Sequence, residues 1–256
     1  MSESKNTVER TLSILETVAH STNGLTNSDL SRRLNIPKSS ASYILRVLEK
    51  RGYLAREKDS GKYRLGLKLM GLTRESATHL DVREVAKPIM ESFVKRTNLS
   101  THLAVLDNGR AVYVEKVENQ NSFIKMDIWI GHRLPIHSTA IGKVLVSQMT
   151  ESEVSAILEI RGMEKKTPKT ITTAKKFLKE LEKVKTYGFA IDNEENSSGV
   201  RCVSAPIFDS QGKIIAALGT SDTIIRLDEA HLTKIVEMIK NSAAKISSLI
   251  GFEGKS

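Results

Sequence analysis

Apolar residues recur at helical spacing through the first fifty positions. Val8, Leu12, Leu15 and Ala19 stand four, three and four apart, which predicts an amphipathic helix over 7–20. Thr22-Asn23-Gly24 breaks that pattern. Thr26 precedes Asp29 by three residues, the spacing of a capping box with Asp in place of the stronger Glu. Leu30 and Leu34 follow at helical spacing, so a short second helix is expected over 27–34. Asn35-Ile36-Pro37 turns the chain. A third helix over 38–50 would bury Ala41, Ile44, Leu45 and Leu48, with Gly52 as its stop. The pattern then becomes strand-like: Tyr53 to Arg56 and Lys62 to Leu65 flank Asp59-Ser60-Gly61, which predicts a small hairpin. Three helices and a hairpin in that order predict a winged helix-turn-helix.

Beyond residue 65 the texture changes. Residues 66–80, with Leu67, Met70, Leu72 and Ala77, predict a linker helix. Asp81 is placed to cap the next helix, which Pro88 is expected to interrupt or restart. His102 to Leu106 and Ala111 to Val117 flank Asp107-Asn108-Gly109, a strong hairpin signal. Phe123 to Trp129 predicts a further strand. Ser138 is expected to open a helix running to Met149, and Thr150 to Glu153 to cap another. Thr173 opens a long helix, carrying Phe177, Leu181 and Val184, that Gly188 closes. Strands are expected at 189–192, 200–207 and 213–221, the last two joined at Ser210-Gln211-Gly212. Leu232, Ile235, Ile239 and Ile246 mark a final amphipathic helix. The pattern implies an α+β fold class: an N-terminal winged helix-turn-helix (1–65), a linker helix (66–80), and a second domain (81–256) with a mostly antiparallel sheet flanked by helices.

Composition narrows the function. Residues 1–70 hold 13 Lys/Arg against 7 Asp/Glu, so this quarter of the chain carries +6 of the formal net charge of +9. A basic domain beside a nearly balanced one points to a polyanionic partner for the first. The lone Cys202 excludes an intrachain disulfide and a Cys-rich zinc site, and suits a reducing cytoplasm. The N-terminus lacks the apolar core of a signal peptide, and no window approaches the ~18 apolar residues of a membrane helix. A cytoplasmic protein without a membrane segment is therefore expected. His102, His132 and His137 have no close ligand spacing, so no metal and no cofactor are expected.

The third helix carries the chemistry that reads double-stranded DNA. Opposite its apolar face stand Ser39, Tyr43, Arg46 and Lys50, with Lys38, Ser40 and Ser42 at its start. A recognition helix enters the major groove with its N-terminal residues against base edges. Arg46 is the candidate for bidentate contact with guanine. Arg32 and Arg33 on the second helix, Lys58 and Lys62 on the wing, and Thr26 at the second helix start are candidates for the phosphate backbone.

The resemblance is specific at this point. "TVERTLSILETVA", "GLTNSDLSRRLNIPKSSASYILRVLEKRGYL" and "GKYRLGLKLMGL" resemble the DNA-binding half of IclR-type bacterial regulators. "LPIHSTAIGKVLVS" and "GFAIDNEENSSGVRCVSAPIFDSQGKIIAALGTS" are similar to that family's effector domain. The resemblance covers roughly 7 to 250 and implies a sequence-specific transcriptional regulator, more often a repressor, with a GAF-like effector-binding domain. It also implies assembly as a homodimer or homotetramer on an operator.

The resemblance further implies an effector site in the second domain. Its polar contacts would be the backbone of Ala140 and Ile141, the side chains of Asp192, Cys202 and Ser221, and the position of Gly219. Its apolar lining would be Phe123, Met126, Leu134 and Val200. Small residues at that helix start also suit a carboxylate on physical grounds, through exposed N–H groups and the helix dipole. Gly219 stands where a serine can sit, which implies a lost donor and extra space. A small organic acid, such as a sugar-derived one, is the implied effector. Two other readings of the second domain remain open: a purely oligomerising module, and a cysteine-dependent enzyme built on Cys202. The sequence offers that enzyme no nucleophile elbow and no catalytic signature.

Overall fold

The computed structural model describes residues 6–69, 82–119 and 129–253. The chain divides into two compact units, residues 1–79 and 80–256.

In the first unit, α1 (Thr7–Ala19) opens with a capping box between Asn6 and Glu9. The helix is where the spacing placed it, but its buried face is not. Ile14 and Val18 enter the core, whereas Val8 is 67% and Leu12 53% exposed. α1 carries apolar residues on two faces, and only one meets the other helices. Thr26 and Asp29 cap α2 (Asn27–Leu34) reciprocally, and Asn35 closes it in the left-handed region. α3 (Lys38–Lys50) starts after Pro37 without a side-chain cap and buries Ala41, Ile44, Leu45 and Leu48. The wing is β1 (Leu54–Arg56) paired antiparallel with β2 (Tyr63–Leu65), and Leu25 bridges to Tyr63. One core joins the three helices and the wing through Ile14, Leu30, Leu45, Leu54 and Tyr63. The linker-helix prediction lies mostly outside the described residues, as does Asp81.

The second unit starts with α4 (Val82–Thr97). Pro88 removes one backbone donor there yet does not interrupt the helix, because packing of Ala86, Ile89, Met90 and Phe93 holds both halves in one core. The sheet comprises β3 (Thr101–Asp107), β4 (Arg110–Val117), β5 (Arg133–Leu134), β6 (Ala190–Asn193), β7 (Val200–Phe208) and β8 (Ile214–Thr223). Their order is β5-β4-β3-β8-β7-β6, and every pairing is antiparallel. The two-residue β5 was not expected from its sequence, and the strand expected over 123–129 lies almost wholly outside the described residues.

Alternation along the strands separates two cores. Leu103, Val203, Ala205 and Leu218 face α4 and the C-terminal α8 (Glu229–Leu249), packing on Phe93, Ile235 and Ile239. Ala104, Tyr113, Ala217 and Cys202 face the opposite way, toward α5 (Ala140–Val146). α5 is shorter than its sequence suggested: Thr139, not Ser138, caps it, and the chain leaves the helix after Val146 rather than Met149. Ser138 is drawn away by donating to Asn196 Oδ1 at 3.1 Å. α6 (Glu151–Arg161), with its Thr150–Glu153 capping box, and α7 (Ala174–Tyr187), closed by Gly188, complete that side around Val154, Leu158, Phe177 and Leu181.

Candidate functional site

Two surfaces concentrate the candidate residues, one in each unit. In the first, α3 turns Ser39, Tyr43, Arg46 and Lys50 outward, all exposed, and Lys38 is exposed at its start. The neighbouring hydroxyls divide: Ser40 accepts from Arg10 Nη1 at 3.3 Å, and Ser42 is half-buried. Thr26 is engaged within its own helix start, where Oγ1 accepts from Asp29 N at 3.2 Å and donates to Asp29 Oδ2 at 2.6 Å. The Thr26 hydroxyl and the Thr26 amide, which donates to Asp29 Oδ2 at 3.1 Å, hold the Asp29 carboxyl below the usual carboxylate range. Arg32 pairs with Asp29 at 3.0 Å while staying largely solvated, and Arg33 is exposed. On the wing Lys58 is exposed and Lys62 half-buried. Sequence reasoning passed over Arg56 and Arg64, which add exposed positive charge to the same hairpin. Arg56 stacks over the Tyr63 ring at 5.7 Å.

In the second unit, small residues leave a cavity of about 340 Å³ between α5 and the sheet. Two rungs of the β ladder form its floor. Asp192, Cys202 and Ser221 lie abreast on β6, β7 and β8, and Ser204, Gly219 and His102 lie abreast on β7, β8 and β3. Leu134, Ala140, Ile141, Val200, Asn196 and Ser197 complete the walls with Tyr113, His132 and Thr139. Eight of the ten residues implied by resemblance thus meet in one cavity; Phe123 and Met126 lie outside the described residues. Thr139 Oγ1 takes the Gly142 amide and Thr139 O the Lys143 amide. The Ala140 and Ile141 amides have no acceptor among the described residues.

The floor is polar and tightly bonded. Asp192 Oδ1 accepts from the amides of Glu195 at 2.7 Å and Asn196 at 3.2 Å, yet burial pushes its carboxyl up to about 6. Ser221 Oγ donates to Cys202 Sγ at 3.1 Å and lies 3.3 Å from His102 Nε2. Burial pushes the Cys202 thiol above its usual range, the opposite of what a thiolate nucleophile requires. Burial lowers His102 to about 4, so its ring is neutral near pH 7. The expected extra space at Gly219 is absent: a Cβ there would stand 3.0 Å from His102 Nε2 and 3.3 Å from Ser204 Oγ. The imidazole opposite fills the volume that a side chain would use.

His102 and His132 entered the sequence reading only as weak metal candidates, and Tyr113 and Asn196 not at all. The rings form a series, Tyr113 edge-on to His102 at 4.8 Å and Trp129 stacked on His132 at 3.9 Å. Parity on β3 carries a usable signal, since His102 shares a face with Ala104. No group of three possible metal ligands occurs among the described residues.

Lys143 is fully buried behind the cavity. Its Nζ donates to Ile191 O at 2.8 Å and Glu195 Oε1 at 2.6 Å, and Glu180 Oε1 lies at 3.9 Å. From the other side, Thr167 and Thr170 donate to the carbonyls of Glu194 and Glu195 at 2.7 and 2.6 Å. The loop that brings Asn196 and Ser197 to the cavity is therefore clamped from two directions.

Family models match both units of the chain. The family model for the "IclR helix-turn-helix domain" matches residues 7–58, and that for "Bacterial transcriptional regulator IclR C-terminal" matches 74–248. The chain is 35% identical to the HTH-type transcriptional regulator XynR of Escherichia coli over 96% of its length and 97% of that protein's. It is 28% identical to the E. coli HTH-type transcriptional repressor AllR over 96% of its length and 90% of that protein's. An IclR homolog from Microbacterium hydrocarbonoxydans, solved in complex with 4-hydroxybenzoate, superposes with a TM-score of 0.84 at 26% identity, covering 96% of this chain and 99% of that one. Among the described residues no helix is long and apolar enough to cross a membrane.

Proposed function

This chain belongs to the IclR family of bacterial transcriptional regulators, and from that premise we propose that it is a repressor whose hold on its operator is set by a small hydroxylated organic acid. The observation that carries the effector reading is the cavity itself: its floor offers a buried carboxylate and a hydroxyl, and its rim offers two amides. A ligand carboxylate belongs on the Ala140 and Ile141 amides, where N–H donors and the helix dipole favour negative charge. Asp192 opposes a second negative charge and suits a ligand hydroxyl, with Ser221 beside it. The 4-hydroxybenzoate bound by the Microbacterium relative has that pair of groups, one carboxylate and one hydroxyl. Repression follows the relative named as a repressor. On α3, Ser39, Tyr43, Arg46 and Lys50 face the bases, and Lys38, Arg32, Arg33, Lys58 and Lys62 the phosphates. Thr26 contributes by capping α2, and Ser40 by tying α3 to α1 through Arg10.

Calorimetry on the full chain with hydroxylated acids and their deoxy analogues tests the effector site. Ser221→Ala should weaken binding by roughly 1 kcal/mol, the worth of one hydrogen bond. Asp192→Ala should weaken hydroxylated acids more than deoxy ones. Operator binding without acid should survive both changes. The reading fails if no acid binds, or if bound acids are indifferent to both substitutions.

A further inference from the structure

A second cavity, of about 350 Å³, shares His132, Leu134 and Asn196 with the first but differs in chemistry. Arg110, Arg133, Arg161 and Lys166 line it, and Glu164 is its one carboxylate. The β3–β4 hairpin turn holds two of the guanidiniums. Arg133 Nη2 donates to Asp107 O at 3.0 Å and to Asp107 Oδ2 at 2.5 Å, and Arg161 Nε donates to Asn108 O at 2.9 Å. Gly109 lets that turn lie against α6, since a Cβ there would stand 2.9 Å from Ile157 Cγ2. Each guanidinium has five N–H donors, so both retain donors after these bonds.

Arg110 differs from its neighbours. Its backbone pairs with Asp107, and its half-buried guanidinium makes no hydrogen bond or ion pair among the described residues, although its charge acts on Glu164. A guanidinium that keeps free donors at a cavity wall can give an anion charge-assisted hydrogen bonds. The negative groups nearby are committed elsewhere: Glu164 is paired with Lys166 at 2.6 Å and largely solvated, and Asp107 lies outside the lining with Arg133. Burial lowers the titration of His137 below the usual histidine range, and its Nε2 lies 3.0 Å from Glu164 O. The result is a concave patch of excess positive charge, too small for duplex DNA.

We propose that this cavity is a binding site for a small polyanion, bearing a phosphate group or at least two carboxylates, separate from the effector site. Bidentate geometry from Arg110, Arg133 and Arg161 suits phosphate and carboxylate oxygens alike, with Lys166 as a point charge at the rim. The charged lining belongs to this cavity alone, although His132, Leu134 and Asn196 are shared with the effector cavity, and the proposal does not depend on the effector reading.

The test is calorimetry on the full chain in a low-salt, phosphate-free buffer, titrating pyrophosphate in one arm and citrate in the other. Saturable binding of one or both is expected, and the arm that binds identifies phosphate or carboxylate as the recognised group. Arg110→Gln should weaken it about tenfold, the worth of one charge-assisted hydrogen bond. Lys166→Gln, at an exposed position, should weaken it less and serves if the first variant folds poorly. Arg46→Ala should bind the polyanion like the unaltered chain, which separates this site from the DNA-binding unit. The proposal is overturned if neither anion binds, if both cavity variants bind as the unaltered chain does, or if Arg46→Ala abolishes binding.

Discussion

His102 and Asp192 face one cavity and are shifted in opposite senses by the same cause, burial. His102 drops from 6.5 to about 4, so the unfolded chain binds its proton where the folded chain does not, and stability rises with pH across that window. Asp192 rises from 3.8 to about 6, so the folded chain holds the extra proton and stability falls as pH rises across its window. Each amounts to about 3 kcal/mol at most, so the two largely offset. Melting curves between pH 4 and 6.5 should therefore show a steeper gain with pH for Asp192→Asn and a smaller one for His102→Asn; equal slopes in all three proteins would refute the assignment. In the other unit, Arg46→Ala should cost operator affinity on the order of 1–3 kcal/mol and relax sequence preference, read by titration of operator and random duplexes. An equal loss on both would make Arg46 a phosphate contact. The rung Asp192, Cys202 and Ser221 was legible through the family resemblance, which implies all three, while the turn at Ser210-Gln211-Gly212 bears only on the β7–β8 pairing. His102 was not, because it faces Gly219 across the β3–β8 pairing, and no turn joins those strands.

At the scale of elements, the helix starts and turns with local chemistry were readable, and the packed faces less so. Thr26–Asp29, Thr150–Glu153 and Asp107-Asn108-Gly109 each form where spacing placed them. The buried face of α1 was misjudged, since choosing between two apolar faces needs knowledge of what packs there. Lys143 escaped notice for a related reason: a lysine in an apolar helix looks like an outward charge until its partners on a distant loop are known. Lys143→Met should leave Glu195 buried without its cation and lower stability by roughly 3–5 kcal/mol. It should also weaken acid binding, because the Asn196 wall loses one of its clamps. Thermal melts and calorimetry read both effects, and unchanged melting would show that the clamp contributes little. The exposed cations of α3 and the wing should make operator affinity fall steeply with salt, roughly one counterion for each phosphate contacted. A flat dependence between low and physiological salt would argue against the phosphate contacts assigned to Lys38, Lys58 and Lys62.

At the scale of the whole molecule, one winged helix covers a half-site, so a homodimer or pair of dimers on a near-palindrome is expected. Val8, Leu12 and Leu67 leave apolar surface on the DNA-binding unit that a second copy can cover. Light scattering should show a dimer or tetramer at micromolar concentration; a monomer both with and without operator would exclude this. The strand order β5-β4-β3-β8-β7-β6 has a further consequence, for the order of events during synthesis. Thr101 pairs with Thr220, so the centre of the sheet closes only when β8 has left the ribosome. Pairings so distant in sequence form slowly, and until then β3 and β7 present open edges. The core of the winged unit is complete by Tyr63, long before that point. A nascent chain thus acquires the part that grips DNA well before the part that senses, and a ribosome stalled ahead of Ile214 would hold a finished reading head joined to an aggregation-prone, unclosed sheet.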